Sequence, residues 1–357
     1  MAGAVTEQPK LWNAKTARLR CVGIREEAPD VRTFRFEAED GSWFAYRPGQ
    51  FVTLELPVGP EPVLRTYTLA STPSRPHHAK ITAKVQPGSV ATRWLFDHLK
   101  LGDRLTAHGP TGRFSLVDHP ADRYLFLSAG SGATPMMSMA RWLFDTAPQT
   151  DVTYVHFARR PEDLLFRSEL GYMAGAAAGL RLRFVVTGAP EGEGWSSGRL
   201  DPALLSVLCP DLGDRAVFCC GPDRFMDAAR RLAGDLGVPA ARWHEESFGA
   251  TPAPVPVASP ITAPSDAAGE GMQVSFTRSG RKAPLLPGQT ILEAAEGCGL
   301  RIPTACRQGL CGTCLVRKLS GQVRMEHMGG IADDEIAEGW ILACCSQAET
   351  ALVEVEV

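Results

Sequence analysis

The sequence predicts a multidomain protein of the α/β and β classes, with an antiparallel β-barrel followed by a doubly wound α/β domain and a small third domain. Three observations predict this organisation. Residues 15–117 alternate short β-rich runs with turn residues, a pattern typical of a small antiparallel barrel. Residues 118–249 repeat strand, turn and helix, which is typical of a doubly wound parallel sheet. Residues 250–270 are rich in proline and separate a last segment, residues 271–357.

The composition limits the classes of protein to consider. The chain has 357 residues, of which 44% are hydrophobic and 22% charged, enough for two or three domains with their own cores. A formal net charge of -3 does not favour binding to nucleic acid or to an anionic membrane. No segment approaches the roughly 18 apolar residues of a membrane span, and no export signal is evident. We therefore expect a cytoplasmic protein with reduced thiols.

A short motif in the predicted barrel points to a flavin. The barrel strands are predicted from three β-rich runs, residues 31–36, 51–56 and 80–85. Residues 65–68 (Arg-Thr-Tyr-Thr) resemble the Arg-x-Tyr-Ser/Thr flavin motif of the ferredoxin-NADP reductase superfamily. The resemblance implies that Arg65 holds a phosphate, that Tyr67 lies against the flavin ring and that the Thr68 hydroxyl reaches the hydride-accepting nitrogen. By itself, the same stretch is also an ordinary amphipathic strand.

A predicted helix start at residues 88–95 supports the flavin interpretation. Free N-H groups and the positive end of the helix dipole there can hold a pyrophosphate. The segment resembles the Gly-x-x-Ser-x-x-Leu segment of FAD-binding members such as the reductase part of flavohaemoglobins, with Thr92 in place of the serine. The resemblance implies FAD rather than FMN and adds four residues to its site: Val85, Val90, Ala91 and Thr92. An ordinary helix start capped by Ser89 or Thr92 is the other interpretation.

Two motifs in residues 118–249 point to a nicotinamide nucleotide. An apolar strand at residues 124–129 is followed by Gly-Ser-Gly-Ala-Thr-Pro at 130–135 and by a helix over 136–143, which resembles the Gly-x-Gly-x-Thr-Pro segment of the same superfamily. Residues 220–222 resemble its Cys-Gly-Pro motif, which lies beside the nicotinamide. The resemblance implies nine NAD-binding residues: Gly130, Gly132, Thr134, Pro135, Cys220, Gly221, Pro222, Phe225 and Met226. Arg159 is added as a tenth because it follows the strand predicted at 152–157.

Three residues are expected to act at the reacting atoms, namely Thr68, Cys220 and Phe248. Residues 246–249 (Glu-Ser-Phe-Gly) resemble the Glu-x-Phe-Gly end of the flavohaemoglobin reductase part, whose aromatic residue contacts the flavin. For Cys220 the alternative is a structural thiol at a strand end. NADH is the expected nucleotide, although Arg159 and Arg160, after the strand predicted at 152–157, are suited either to grip a ribose phosphate or to lie in solvent.

The last segment carries a cysteine pattern that indicates an iron-sulfur cluster. Four residues and then two separate Cys306, Cys311 and Cys314, and Cys344 lies far downstream. This is the spacing of plant-type ferredoxins, which hold a 2Fe-2S cluster. A structural zinc site is the alternative, but zinc sites usually pair cysteines on two separate knuckles. Cys345 is a second candidate for the fourth ligand, and the Leu-x-Cys pattern of the ferredoxin family favours Cys344.

The resemblance of residues 271–357 to plant-type ferredoxins implies a β-grasp fold, with strands at 273–277 and 315–319 around a capped helix at 290–296. The proline-rich segment then serves as a semi-rigid tether between this ferredoxin domain and the flavin module.

The order of the three modules implies an electron-transfer reductase that takes electrons from NADH through FAD and the 2Fe-2S cluster. This order resembles the reductase components of Rieske-type oxygenases, the reductases of hybrid-cluster proteins and the reductase subunit of phenylacetyl-CoA epoxidase. Residues 339–346 look most like reductases that serve monooxygenases demethylating betaine-type quaternary ammonium compounds. A zinc-bound interaction module is the non-enzymatic alternative.

The partner, an oxygenase component or another electron-accepting protein, is expected to dock at the ferredoxin domain through an acidic face. Residues 298–324 contain five basic residues and no acidic residue: Arg301, Arg307, Arg317, Lys318 and Arg324. Opposite charge on a partner raises the rate of association.

Overall fold

The computed structural model describes most of the chain. Described are residues 10–12, 16–60, 62–248 and 272–357, except positions 303, 305, 306, 308, 310, 328, 329 and 332. They fall into two compact units, one holding residues up to 63 and 67–248 and the other residues 64–66 with those from 272 onward, and each is described by itself. The predicted linker and the predicted ligand Cys306 lie outside the described residues. None of the helices in the described part of the chain has the length and apolar character needed to span a membrane.

The first domain is an antiparallel half-barrel of six strands in the order β6-β5-β8-β2-β3-β7, with the ribbon β1-β4 beside it. Its elements are β1 (Leu11–Trp12), β2 (Thr16–Ala28), β3 (Val31–Ala38), β4 (Trp43–Phe44), β5 (Phe51–Leu56), β6 (Val63–Thr68), β7 (Ala79–Lys84), α1 (Val90–Asp97) and β8 (Arg104–Thr111). Because side chains alternate along a strand, Phe34 and Phe36 of β3 both point inward and are fully buried. The predicted barrel strands are thus found as β3, β5 and β7.

The second domain is a parallel sheet with strand order β12-β11-β10-β9-β13-β14. Its elements are β9 (Arg123–Ala129), α2 (Ala133–Thr146), β10 (Asp151–Ala158), α3 (Arg167–Ala176), β11 (Leu180–Val186), β12 (Ser196–Ser197), α4 (Pro202–Leu208), β13 (Ala216–Cys220), α5 (Asp223–Asp235) and β14 (Trp243–Glu246). The strand order reverses between β9 and β13, and ligands of such sheets bind beyond the carboxyl ends of the strands at that point. The two predicted nucleotide motifs follow these two strands.

The last domain is a mixed sheet, β16-β15-β21-β17-β19, with a second ribbon β18-β20. Its elements are β15 (Gln273–Phe276), β16 (Arg281–Pro284), α6 (Ile291–Gly297), β17 (Leu315–Ser320), β18 (Val323–Met325), α7 (Asp333–Ala337), β19 (Trp340–Leu342), β20 (Ser346–Ala348) and β21 (Leu352–Val355). A capping box between Thr290 and Glu293 starts α6, which buries Ile291 and Leu292 in the core. The β-grasp prediction and the fold class as a whole are confirmed.

Candidate flavin, nucleotide and iron-sulfur sites

The structure brings the two predicted flavin motifs together. The Tyr67 hydroxyl on β6 and the Thr92 hydroxyl on α1 are hydrogen-bonded at 3.3 Å. Ser89 precedes α1, but its side chain makes no capping hydrogen bond to the helix. The N-H groups of the first turn therefore keep their capacity to hold an anion, as a pyrophosphate cradle requires. Arg65 is half-buried on the same strand, and its guanidinium donates to the Leu64 carbonyl at 2.7 Å.

Thr68 provides the best test of whether these residues fit a flavin. Its hydroxyl oxygen is buried and has no hydrogen-bond partner among the described residues. Buried polar groups in native proteins nearly always have a partner, so an orphaned hydroxyl at the end of this strand calls for a ligand atom. Of the other predicted flavin residues, Val85 and Ala91 are buried, whereas Val90 is two-thirds exposed. The residues present fit FAD.

Helix α2 fixes the nucleotide domain against the flavin strand. The Ser138 hydroxyl donates to the Ser71 carbonyl at 2.6 Å and accepts from the backbone N-H of Gly49 at 3.2 Å. The Arg141 guanidinium is buried, donates to the Ala70 carbonyl and forms a forked pair with Glu169 at 2.8 and 2.7 Å. Because α2 begins at the glycine turn, these contacts locate the turn relative to the residues that directly follow Thr68.

The two nucleotide motifs touch each other through glycine. A Cβ on Gly132 would lie 2.1 Å from the carbonyl oxygen of Cys220, and one on Gly221 would lie 2.9 Å from the Phe225 ring. Such distances are far below van der Waals contact, so no larger residue fits at Gly132 without a backbone shift. Glycine therefore allows the turn after β9 to pack directly on the Cys-Gly-Pro segment after β13.

The other predicted nucleotide residues differ in exposure. Thr134 and Pro135 are buried in the first turn of α2, and the Thr134 hydroxyl donates to the Ser131 carbonyl at 3.0 Å. Met226, a residue of α5, packs into the apolar core, whereas Arg159 follows β10 and is exposed. Cys220 is fully buried, and burial raises the pKa of its thiol well above the ordinary value. Its proposed position beside the nicotinamide stays a prediction.

Sequence reasoning missed Glu246, the last residue of β14. It pairs in register with Cys220, and both of its carboxyl oxygens are buried without a hydrogen-bond partner among the described residues. Burial raises the pKa of this carboxyl to about 8. The Glu-x-Phe-Gly motif contained Glu246, but nothing in the sequence showed that it is buried. Phe248, two residues later, is 44% exposed and free to cover a ligand.

The described part of the cysteine loop is shaped to surround an anionic group. The backbone is left-handed at Arg307, Gly309 and Gly312, with φ of 56°, 68° and 70°. Left-handed residues occur in the backbone nests that bind anions. The Gly309 N-H donates to the Cys344 sulfur at 3.3 Å. Hydrogen bonds to ligand sulfurs are among the features that set the reduction potential of such clusters.

The thiols of this domain are gathered around the loop. Cys311, Cys314 and Cys344 are buried. Cys345 is half-buried, and its sulfur lies beside Gly309, 2.7 Å from where a Cβ would stand. The described residues by themselves do not gather three metal-binding side chains into one group, and Cys306 lies outside them. The contact from Gly309 supports Cys344 as the fourth ligand.

Two threonines of the loop were also missed from the sequence. The Thr313 hydroxyl donates to the Cys311 sulfur at 3.0 Å, and the Thr304 hydroxyl is buried without a partner among the described residues. The hydroxyl of Thr313 at the Cys311 sulfur fits a 2Fe-2S cluster, whose potential depends on such hydrogen bonds.

Comparison with known proteins identifies all three modules. Residues 19–116 match the family model of the oxidoreductase FAD-binding domain, residues 126–231 that of the oxidoreductase NAD-binding domain, and residues 275–349 that of the 2Fe-2S iron-sulfur cluster binding domain. A glycine betaine monooxygenase reductase subunit of Pseudomonas aeruginosa is 45% identical over 343 residues, which cover 94% of each chain. The chain belongs to this family of FAD- and NAD-binding, iron-sulfur reductases. It is an oxidoreductase that transfers electrons from a nicotinamide nucleotide through FAD to a 2Fe-2S cluster, which replaces the zinc alternative.

Two further relatives extend the comparison. The reductase is 44% identical over 331 residues to the stachydrine N-demethylase reductase subunit of Rhizobium meliloti, covering 92% of this chain and 93% of that protein. The crystal structure of phthalate dioxygenase reductase is similar with a TM-score of 0.60 and 25% identity, covering 96% of this chain and 98% of that one. That structure is described as modular, for electron transfer from pyridine nucleotides to a 2Fe-2S centre.

Proposed function

We propose that this reductase delivers electrons from NADH to the oxygenase component of a Rieske-type monooxygenase that demethylates a betaine-type quaternary ammonium compound. The similarity to reductase subunits of glycine betaine monooxygenase and stachydrine N-demethylase, 45% and 44% over nearly the full length, carries the proposal. All nine described cysteines are free thiols, which suits work in the reducing cytoplasm.

The residues of the chain supply positioning rather than acid, base or nucleophile. When bound, FAD converts the two-electron chemistry of NADH into single electrons that the cluster passes on. Thr68 offers a hydroxyl to the flavin, and α2 holds the glycine turn against the carbonyls of Ala70 and Ser71. The proposed ligands Cys306, Cys311, Cys314 and Cys344 hold the cluster.

We infer that the oxygenase docks at the ferredoxin domain through an acidic face. The structure modifies the simple charge count of the sequence, because Glu296 lies just outside the counted segment and forms an ion pair with Arg307. Arg324 also pairs with Glu326, at 3.3 Å, while Arg317 is exposed on β17. The positive charge of this region is therefore partly neutralised. Arg307 attracts an acidic partner most strongly when its ion pair with Glu296 breaks and a carboxylate of the partner takes the place of Glu296.

Reconstitution tests the function. The purified reductase is mixed with NADH, glycine betaine or stachydrine and the matching oxygenase component, and formaldehyde from the removed methyl group is measured with NADH consumption. We expect formaldehyde in proportion to NADH. Parallel assays offer hybrid-cluster protein and the phenylacetyl-CoA epoxidase oxygenase as acceptors. Faster electron delivery to either of these would contradict the proposed partner while leaving the reductase chemistry intact.

A further inference from the structure

The loop after β10 lies at the edge of the sheet where a nucleotide is expected. A cavity of about 520 Å³ opens there, at the carboxyl ends of β10 and β11. Its charged lining residues are Asp30, Lys84, Arg159, Arg160, Asp163 and Arg199. In doubly wound sheets, residues near the end of the second strand meet the ribose, and an arginine there accommodates the 2'-phosphate that distinguishes NADPH from NADH. The charges in this cavity therefore bear on the choice of nucleotide.

Arg160 is fully engaged by its own loop. Its guanidinium donates to both oxygens of Asp163, at 3.0 and 2.9 Å, and lies 3.4 Å from Glu162. The pairing is local, because a 3-10 turn over Pro161–Asp163 brings the Asp163 N-H to the Arg160 carbonyl at 3.0 Å. Proline at the first position of this turn favours the shape that returns Asp163 to Arg160. A forked pair of this kind holds both the position and the charge of the arginine.

Asp163 remains ionised at neutral pH. The hydrogen bonds from Arg160 oppose the effect of burial and hold the pKa of its carboxyl below the ordinary value. Only 14% of its side chain is exposed, and Lys84 is close enough to lower the pKa further. Asp163 therefore offsets the charge of Arg160 in a cavity that Lys84 and Arg199 also line.

Arg159 differs from Arg160 in that its guanidinium is available to a ligand. It is exposed, and no side chain in the described part of the chain pairs with it. Its carbonyl accepts the Gly188 N-H at 2.9 Å, and a Cβ at Gly188 would lie 2.7 Å from that oxygen, so the backbone is fixed while the guanidinium is free. The two neighbouring arginines thus differ in availability, which the sequence alone did not show.

We propose that Asp163 makes the reductase select NADH over NADPH, by holding Arg160 away from the ribose and by placing a negative charge where a 2'-phosphate would lie. Arg159 serves both nucleotides equally through the phosphates they share. The inference rests on the proposed use of NADH, and it assigns a specificity-determining role to a residue that does not itself contact the reacting atoms.

The test compares NADH and NADPH in the full-length protein loaded with FAD and cluster. Ferricyanide serves as acceptor, so that no oxygenase is needed, and kcat/KM is measured for each nucleotide. In Asp163→Asn the freed Arg160 should raise the NADPH/NADH ratio of kcat/KM about tenfold, the factor that one modest charge-assisted hydrogen bond provides. In the double variant Asp163→Asn with Arg160→Ala, the ratio should fall most of the way back. Arg159→Ala should lower kcat/KM for NADH and for NADPH by the same factor.

A control for the loss of one aspartate charge is available in the same domain. Asp227 and Arg230 form an exposed pair with three-residue spacing, at 3.3 Å, on α5, and Arg230 is held as well by Glu245 at 2.9 and 2.6 Å. Asp227→Asn should leave the nucleotide ratio unchanged. An unchanged ratio in a folded, FAD-loaded Asp163→Asn protein that still prefers NADH would overturn the role of Asp163 alone. A wild-type preference for NADPH would overturn both this inference and the proposed use of NADH.

Discussion

Glu246 is a buried acid whose effect on stability changes with pH. Its folded-state pKa of about 8 lies above the ordinary value of a glutamate, so the folded state binds the proton more tightly than the unfolded state. The contribution of Glu246 to the free energy of unfolding is therefore fully present below the unfolded-state pKa of about 4.3. It is lost as the pH rises toward 8. Replacing Glu246 by Gln removes this dependence and should stabilise the protein by roughly 4 kcal/mol at pH 8 and by little at pH 5.

Thermal melting of wild-type and Glu246→Gln protein at pH 5 and pH 8 checks this prediction. The difference between the two melting temperatures should widen at the higher pH. Equal differences in melting temperature at pH 5 and pH 8 would mean that a bound cofactor or a rearrangement gives the Glu246 carboxylate a hydrogen-bond partner.

Cys344 and Cys345 make a second contrast between neighbouring residues. The Gly309 N-H points at the sulfur of Cys344, whereas Cys345 donates weakly to the Leu342 carbonyl at 3.7 Å. Cys344→Ser should therefore abolish the visible absorption of the iron-sulfur cluster, and Cys345→Ser should leave it. Reduction of the flavin by NADH should survive in both variants, since FAD binds in the other unit. The reverse pattern of absorption would assign the ligand to Cys345.

At this scale the sequence predicted residues whose roles follow from spacing or motif, and missed those whose roles follow from burial. The cysteine spacing predicted Cys311 as a cluster ligand and the flavin motif predicted Thr68 as a flavin residue, and both roles stay predictions. The local pair of Arg160 and Asp163, three residues apart, was not recognised in the sequence. The unpaired carboxyl of Glu246 depends on which groups folding brings near it. No local pattern encodes that.

Helix α2 shows how one element couples two domains. Arg141 is 4% exposed and joins Ala70 of the flavin domain to Glu169 of the nucleotide domain. Removing one partner of a buried pair leaves the other without compensation, so Arg141→Ala should destabilise the protein by about 3 kcal/mol. It should also slow the reduction of the flavin by NADH, because the glycine turn at the start of α2 loses its fixed position.

Arg75 supplies the matched control for Arg141. It also ties the flavin domain to α2, through Asp145 at 2.6 and 2.9 Å, but its side chain is 56% exposed. An exposed pair contributes at most about 1 kcal/mol, so Arg75→Ala should change melting and flavin reduction only slightly. Equal effects of the two variants on the stopped-flow rate of flavin reduction would show that α2 does not position the turn through Arg141.

The elements themselves were largely predictable because their apolar periods are strong. The predicted strand at residues 51–56 is β5 without change, and the predicted helix over 136–143 is the interior of α2, Ala133–Thr146. The helix is longer than its apolar run because Pro135 is tolerated in the first turn and the last turn is polar. The contacts of α2 with the flavin strand were not predictable, since they join residues far apart in the chain.

For the whole molecule, the order of the modules follows from sequence, and the encounter with a partner depends on charge. The five basic residues between positions 298 and 324 favour an acidic partner, and their charges are screened over about 10 Å at 0.1 M salt. Electron transfer to the oxygenase should therefore slow as salt rises, while flavin reduction by NADH stays constant. Stopped-flow measurement of both steps at increasing salt separates them.

Arg307 and Glu296 allow the docking charge to be changed in both directions. Arg307 lies in the cysteine loop and is 42% exposed, so a charge there acts close to the site of electron transfer. Arg307→Glu should slow transfer to the oxygenase at low salt, because it replaces attraction by repulsion. Glu296→Gln should accelerate the same step, because it releases Arg307 for the partner. Both variants must first show normal cluster absorption and flavin reduction. If both leave the rate at its wild-type value and that rate does not depend on salt, the partner does not dock through an acidic face.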